Sequence, residues 1–387
     1  MKKLAFICTI AASILTLSSA GPAPDKKVES FDRDFKNLSE KLDCIGAGAI
    51  IVKDGKEVYS STSGINDLAL RQEITTNQYF RVGEIGRTIP AIAVMQLVDK
   101  GLVSLDADIS DYLGFTLRNP ASPAKPLTLR MLLTSTAGLS PDAQISSISL
   151  LDAKRNPDYK EFFIPRFKAG AKYRSASAGY VIAAAIVEKV SGMRFDDYAC
   201  ANIFRPMGIS ATYDPKSVSD GQLVSSYSWN AKDGKYVKQK RIYTSFDTAG
   251  YVLGESTANI KPSSGLIMNL EDLTVLMRTF LDSMVAPNGT RLLSKSSAAE
   301  FLKPQANRRK ACMGLTANAS AVPDYILMTA TGISSGTSAA IYFNFNDKLG
   351  MAAFCNGSHN DMSDVDGKVG NAFNRDIRDI FTKYFVD

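Results

Sequence analysis

Apolar residues recur along this 387-residue chain with two different periods, and the order in which the periods alternate sketches the fold. Phe31, Phe35, Leu38 and Leu42 are spaced for one face of a helix. Two strand-like runs follow, Ile45 to Lys53 and Glu57 to Ser63, joined by Asp54-Gly55, a pair suited to a two-residue hairpin because both residues tolerate positive φ. A glycine turn at Gly83 feeds an apolar helix that runs to Gly101. A second strong helix spans Gly179 to Gly192 and ends in a glycine cap. Residues 215–260, rich in Ser, Tyr and Lys, read as an irregular excursion. Asn269 is placed to cap a helix, with Asp272 three positions on.

The C-terminal part returns to the two-residue period. Strands are expected at Ala311 to Ala317, Tyr325 to Thr331, Ser338 to Phe345 and Gly350 to Asn356, with Asn346-Asp347 as the turn between the last two. Ala372 to Phe385 reads as a closing amphipathic helix. No internal repeat or low-complexity tract interrupts this order. The pattern predicts an α/β (α+β) fold in which a sheet flanked by helices is built from both chain ends around an inserted helical domain. The expected division is 31–83 plus 262–387 for the sheet domain and 84–261 for the insertion.

The N-terminus changes the picture of where the protein works. Met1-Lys2-Lys3, an apolar run from Leu4 to Leu17 and Ser18-Ser19-Ala20 have the basic, apolar and small-residue regions of a secretory signal, so residues 1–20 are expected to be removed and 21–30 to form a flexible leader. A retained membrane anchor is the alternative, but the run falls short of the ~20 residues a spanning helix needs. A secreted or periplasmic location follows, and no other run is long enough to span a bilayer. The formal charge of +6 falls to about +4 without Lys2 and Lys3, too weak and too scattered to point to nucleic acid. Four cysteines remain after the signal, Cys44, Cys200, Cys312 and Cys355, and with His359 as the sole histidine their spacing forms no metal pattern. No cofactor motif is present either. Disulfides and buried thiols are both open from composition alone.

Tyr79-Phe80-Arg81-Val82-Gly83-Glu84-Ile85-Gly86-Arg87-Thr88 and the helix after it resemble the turn that carries the Ser-x-x-Lys nucleophile of serine β-lactamases and penicillin-binding proteins, especially the class C and D,D-peptidase branch. The likeness runs from Phe31 to the C-terminus, through Leu102 to Leu113, Leu127 to Leu139, Asn202 to Ile209 and Pro262 to Leu273. It implies that family's fold and groove. At the motif positions, however, the serine reads Glu84 and the lysine Arg87. An arginine is always protonated and cannot be a general base. Glu84 could attack as a carboxylate, but an i,i+3 ion pair with Arg87 is the simpler expectation. Gly86 and Pro90 both oppose a regular helix before Thr88, so positions 84 and 87 need not share a face.

The family's Tyr-x-Asn motif falls on Ser175-Ala176-Ser177, and its Lys/His-Thr-Gly motif on Ala330-Thr331-Gly332, which keeps Thr-Gly and loses the cation. Tyr173 lies two residues too early. The one other Ser-x-x-Lys, Ser122 to Lys125, is flanked by Pro120 and Pro126 and contains Pro123, so its spacing does not imply a shared helical face. The resemblance therefore implies a groove lined by Glu84, Arg87, Ser175, Ser177, Ala330, Thr331 and Gly332 with no catalytic residue of the expected kind. A catalytically inactive relative that binds a peptidoglycan peptide or an envelope protein is the resulting expectation, and a hydrolase with a non-standard nucleophile is its rival. The family's fold also implies that the first strand lies beside the last, which suggests a Cys44–Cys355 disulfide, with Cys200 and Cys312 unpaired.

Overall fold

One antiparallel sheet carries two apolar faces, and the whole chain is arranged to cover both. The computed structural model describes residues 25–219, 221–230, 232–239, 247–305, 311–319, 322, 325–334, 336–357, 364–365, 368–369 and 372–386. The expected signal segment, 1–20, and His359 lie outside the described residues. Helix α1 (Lys26–Lys41) precedes the hairpin of β1 (Gly46–Lys53) and β2 (Lys56–Gly64), and β3 (Phe80–Arg81) follows. The middle of the chain supplies α2 (Thr88–Asp99), α3 (Ser110–Leu113), α4 (Leu129–Leu133), α5 (Ala178–Ser191), α6 (Phe195–Ala199) and α7 (Arg205–Met207). Strands β4 (Tyr227–Asn230), β5 (Lys235–Lys238) and β6 (Ile267–Met268) come next, then α8 (Leu270–Leu281) and α9 (Lys295–Leu302). The chain closes with β7 (Thr316–Ala319), β8 (Ile326–Ser334), β9 (Thr337–Asn344), β10 (Leu349–Asn356) and, further on, α10 (Ala372–Phe385).

The main sheet has the order β2-β1-β10-β9-β8-β7. The two-residue period sorts its side chains without exception in the central strands. Ala47, Ala49 and Ile51 of β1, with Met351, Ala353 and Cys355 of β10, face α1 and α10 through Phe31, Phe35, Phe373, Ile377 and Phe381. Ile50, Val52, Ala352 and Phe354 face the opposite layer, where Leu270, Leu273 and Met277 of α8 lie. The strands are covered on both faces, which is why β1 reads as an almost continuous apolar run. Asp54 and Gly55 both have positive φ, 51° and 75°, as the tight hairpin requires.

Helices α2 and α5 are buried nearly all round, from Thr88 to Leu97 and from Ala178 to Glu188, so they form the inside of the helical layer. The short pair β3–β6, with Phe80 opposite Met268 and Arg81 opposite Ile267, ties the chain entering the helical region to the chain leaving it. No helix among the described residues is long and apolar enough to cross a membrane.

The structure corrects several sequence expectations. The leader is not flexible throughout: α1 begins at Lys26, because Asp25 caps it by accepting the Lys27 N–H at 2.9 Å. The excursion at 215–260 contains the β4–β5 hairpin, whose Trp229 and Tyr236 meet edge to face. The strand expected at Ala311 to Ala317 starts at Thr316, since the chain turns between Ala311 and Thr316, which bridge each other. Cys44 and Cys355 are not joined. The register sets Cys355 opposite Ala47, three residues beyond Cys44 and buried on the α1 side, so the two sulfurs are out of step. Cys200 and Cys312 are free thiols.

Candidate functional site

The site begins where two backbones touch. Gly83 has φ 55°, and a Cβ there would sit 2.6 Å from the Ile333 nitrogen; a Cβ on Gly332 would sit 1.8 Å from the Val82 oxygen and 2.7 Å from the Glu84 nitrogen. Only two residues without side chains allow the turn to press directly on β8. The contact fixes Glu84 beside the strand. Residues 83–87 form a 3-10 turn, and α2 starts at Thr88, whose hydroxyl donates back to the Ile85 carbonyl at 2.8 Å. Pro90 is thereby placed in the first turn of α2, where its missing N–H costs least.

A 3-10 turn has three residues per turn, so Glu84 and Arg87 stand above one another, and both line the same cleft. The regular helix does begin at Thr88, as Gly86 and Pro90 led one to expect, and the tighter winding before it keeps positions 84 and 87 on one side. The expected ion pair, however, is absent. Glu84 Oε2 accepts the Ile333 N–H at 2.9 Å. Arg87 donates from its two terminal nitrogens to Ser175 Oγ at 2.7 Å and Ser177 Oγ at 3.0 Å, and its guanidinium lies 5.6 Å from the centre of the Tyr180 ring. Each side chain finds a nearer partner of the right geometry than the other, and the Arg87 Nε–H is buried with no acceptor.

Ser175 and Ser177 are held by the start of α5. Ala176 between them is buried, which turns both hydroxyls to the cleft. Gly179 packs on Leu132, where a Cβ would come within 2.8 Å of the carbonyl oxygen, and Tyr180 donates its hydroxyl to the Leu133 carbonyl at 2.8 Å. Burial pushes the Tyr180 phenol above its ordinary value, against the opposing effect of Arg87. Tyr180 therefore stays a neutral donor.

The cleft measures about 1060 Å³ and runs from Pro141–Ser146 across to Lys261, Ser263 and Ser264. A smaller adjoining cavity of about 230 Å³ is bounded by Tyr173, Cys312, Ala330 and Thr331, with Glu84, Arg87 and Ser175 lining both. The structure therefore brings Glu84, Arg87, Ser175, Ser177, Ala330 and Thr331 together, with Gly332 as the contact beneath them. Burial pushes the Cys312 thiol up to about 12, so it is protonated and unreactive at neutral pH. Among the described residues no three His, Cys, Asp or Glu side chains group to hold a metal ion.

Two cleft residues were not anticipated in these positions. Lys261 has φ 56°, and its carbonyl accepts from the Ser264 and Gly265 N–H groups. Desolvation, aided by the charge of Arg81, pulls its ammonium below the ordinary value. Its signal is the Lys261-Pro262-Ser263-Ser264-Gly265 turn, which reads locally as a helix approach. Tyr173, 39% exposed, lines the smaller cavity instead of packing away. Ser122 and Lys125 are elsewhere: Ser122 Oγ accepts the Ala169 N–H and Lys125 Nζ donates to the Ala169 carbonyl, both at 3.0 Å, a clamp on the backbone of one residue.

Residues 31–372 match the family model described as Beta-lactamase. The chain belongs to the β-lactamase family. Among curated relatives, Penicillin-binding protein 4 of Amycolatopsis lactamdurans is 27% identical over 282 residues, 69% of each chain. The octameric penicillin-binding protein homologue from Pyrococcus abyssi superposes with a TM-score of 0.70 at 21% identity, covering 86% of this chain and 74% of that one. A class C β-lactamase from Rhodobacter sphaeroides gives 0.69 at 19% identity, covering 92% and 99%. At such identities the structural likeness is one of fold. In this β-lactamase-family member the cleft presents a carboxylate, a guanidinium and two hydroxyls that accept from that guanidinium. A hydroxyl becomes a useful nucleophile when a neighbouring base takes its proton, and Arg87 is not such a base.

Proposed function

We propose that this β-lactamase-family chain is a binding protein of the cell envelope and not a hydrolase, with its cleft taking a peptide, a cell-wall fragment or a segment of a protein partner. The observation that carries the reading is the Arg87 guanidinium, bonded to both Ser175 and Ser177. A permanently charged group stands beside the hydroxyls where acyl transfer needs a proton acceptor. Glu84, the residue in the nucleophile position, is engaged by the Ile333 N–H. The names of the relatives, penicillin-binding proteins and D-alanyl-D-alanine carboxypeptidases among them, support a wall-derived class of ligand. The secretory pattern of residues 1–20 supports a secreted or periplasmic location.

Incubation of the purified protein with a fluorescent penicillin and with chromogenic esters tests this. No covalent label and no turnover are expected. Labelling or hydrolysis that disappears in Glu84→Gln would overturn it. A second reading, a hydrolase with a non-standard nucleophile, is favoured by Lys261, whose lowered ammonium could serve as a base. No hydrogen bond joins the Lys261 ammonium to a described cleft serine, however, its carbonyl alone accepting from the Ser264 N–H, and turnover abolished by Lys261→Met is the result that this reading requires.

A further inference from the structure

The cleft divides by what its polar groups are bonded to. Around the Gly83 turn they are answered from within the chain: Glu84 accepts the Ile333 N–H, and Arg87 donates to Ser175 and Ser177. Along the wide walls they are not. Gln144 and Ser146 from one wall, and Asn259, Lys261, Ser263 and Ser264 from the other, line the cleft, and their side chains make no hydrogen bond or ion pair to any described residue. Lys261 holds φ 56°, uncommon for a residue with a side chain, and the turn is locked there by the Ser264 and Gly265 N–H groups, which donate to the Lys261 carbonyl at 3.1 and 2.7 Å. Open polar groups on a braced wall are available to a ligand's own donors and acceptors.

We propose that these walls hold an uncharged oligosaccharide, and that the amides of Gln144 and Asn259 and the hydroxyls of Ser146, Ser263 and Ser264 bond its hydroxyls. The inference rests on the binding reading above and names its ligand. Amides and hydroxyls each donate and accept, as sugar hydroxyls do, so a polyhydroxylated chain can replace the water that satisfies them in the free protein. Charge points the same way: Arg87 and Lys261 are matched in the cleft by Glu84 and Asp247, so no net field selects an anion or a cation. The apolar part of the lining is mostly short side chains, Ala143, Ala178, Val181 and Ala258 among them, which suit the C–H faces of sugar rings. Neither wall contains a strand, since 141–146 is irregular and Ser256–Ile260 is a short 3-10 helix, so a peptide finds no free edge to pair with along them. At about 1060 Å³ the cleft stands at the top of the ~300–1,000 Å³ usual for small-molecule sites, room for several linked rings.

The test uses the full mature chain, with saturation-transfer NMR to detect weak binding and calorimetry to measure it. Its probes are cellotetraose, chitotetraose and tetra-alanine blocked at both ends, which is equally uncharged. At least one saccharide should bind, and more tightly than the blocked peptide. Gln144 and Asn259 are exposed, so Gln144→Ala and Asn259→Ala should leave the melting temperature unchanged. Each should weaken saccharide binding about fivefold, and the two together about tenfold or more. Ser146→Ala, a smaller change, is the replacement if either variant loses stability. Val252→Ser, exposed and outside the cleft lining, should bind as the wild type does. Added salt should not change the affinity of an uncharged ligand.

No binding of either saccharide, tighter binding of the blocked peptide, or unchanged affinity in the double variant overturns the inference. Affinity that falls steeply with salt overturns the choice of an uncharged ligand. Penicillin labelling or ester turnover would remove the non-hydrolytic reading and leave saccharide recognition to these titrations, so the two failures are distinguishable.

Discussion

The Glu84 carboxylate takes its hydrogen bond from the Ile333 N–H, 249 positions away along the chain, and not from Arg87, three positions away. The reason lies in Gly83 and Gly332, whose missing side chains let the turn and β8 approach until backbone meets backbone.

That approach predicts an unusually costly glycine substitution. Gly332→Ala would place a methyl group 1.8 Å from the Val82 oxygen, so either the turn moves or the strand does. A loss of about 3 kcal/mol or more is expected, at the upper end of overpacking effects. Gly101→Ala has positive φ but nothing within 4 Å of the added carbon, and should cost only about 1 kcal/mol. Urea unfolding of both variants measures the difference, and equal losses would show that the turn–strand contact is loose.

Glu188 predicts a second sensitive position. It is fully buried in α5 and accepts from the Phe195 and Gly254 N–H groups and from the Tyr251 and Thr257 hydroxyls. Glu188→Ala strands four donors and should cost about 3 kcal/mol or more. Glu188→Gln, which keeps the shape but turns an amide N–H toward donors, should also destabilise, and by chemical denaturation it should fall between alanine and wild type.

Two carboxyls give opposite pH dependences. Burial alone would raise Asp67, but hydrogen bonds from Lys238, Ser225 and the Leu70 and Ala69 N–H groups hold it well below its ordinary 3.8. A depressed folded-state value means that the Asp67 contribution is present above about pH 4 and is lost as pH falls below it. Asp67→Asn should therefore flatten the acid limb of a stability profile, and an unchanged limb would refute the assignment.

Asp272 behaves in the other sense. Burial, opposed by the Ser210 N–H and reinforced by Glu271, raises it to about 6. The folded state then holds the proton more tightly than the unfolded state, so stability should decline as pH rises from about 4 to 6. Asp272→Asn should remove that decline and stabilise the protein at pH 7 by about 1 kcal/mol, allowing for solvent screening of a partly exposed group. Melting temperatures at pH 4, 5, 6 and 7 for the two proteins decide it.

The absence of a Cys44–Cys355 bond predicts that thermal melting is the same with and without reductant, and that Cys44→Ser leaves it unchanged. A melting point lowered by reductant only in the protein with Cys44 would show that the two thiols do pair.

The central strands and α10 were legible because their residues alternate or recur with the period of the element they form, and Ala372–Phe385 is found with the bounds its spacing implied. The cleft residues were legible as positions too, since Glu84, Arg87, Ser175, Ser177 and Ala330 do converge. Their partners were not. Sequence spacing favoured Glu84 with Arg87, gave Lys261 no place in the cleft, and suggested a disulfide that a three-residue offset in register excludes.

What the sequence determined by itself is thus the main helices and central strands and which residues stand in the turn and cleft, because hydrophobic period and residue identity are local properties. Which atom satisfies which was decided only by tertiary structure. A hydrogen bond is worth having only where donor and acceptor meet within about 3 Å, and that meeting depends on how closely the Gly83 turn and β8 are allowed to pack.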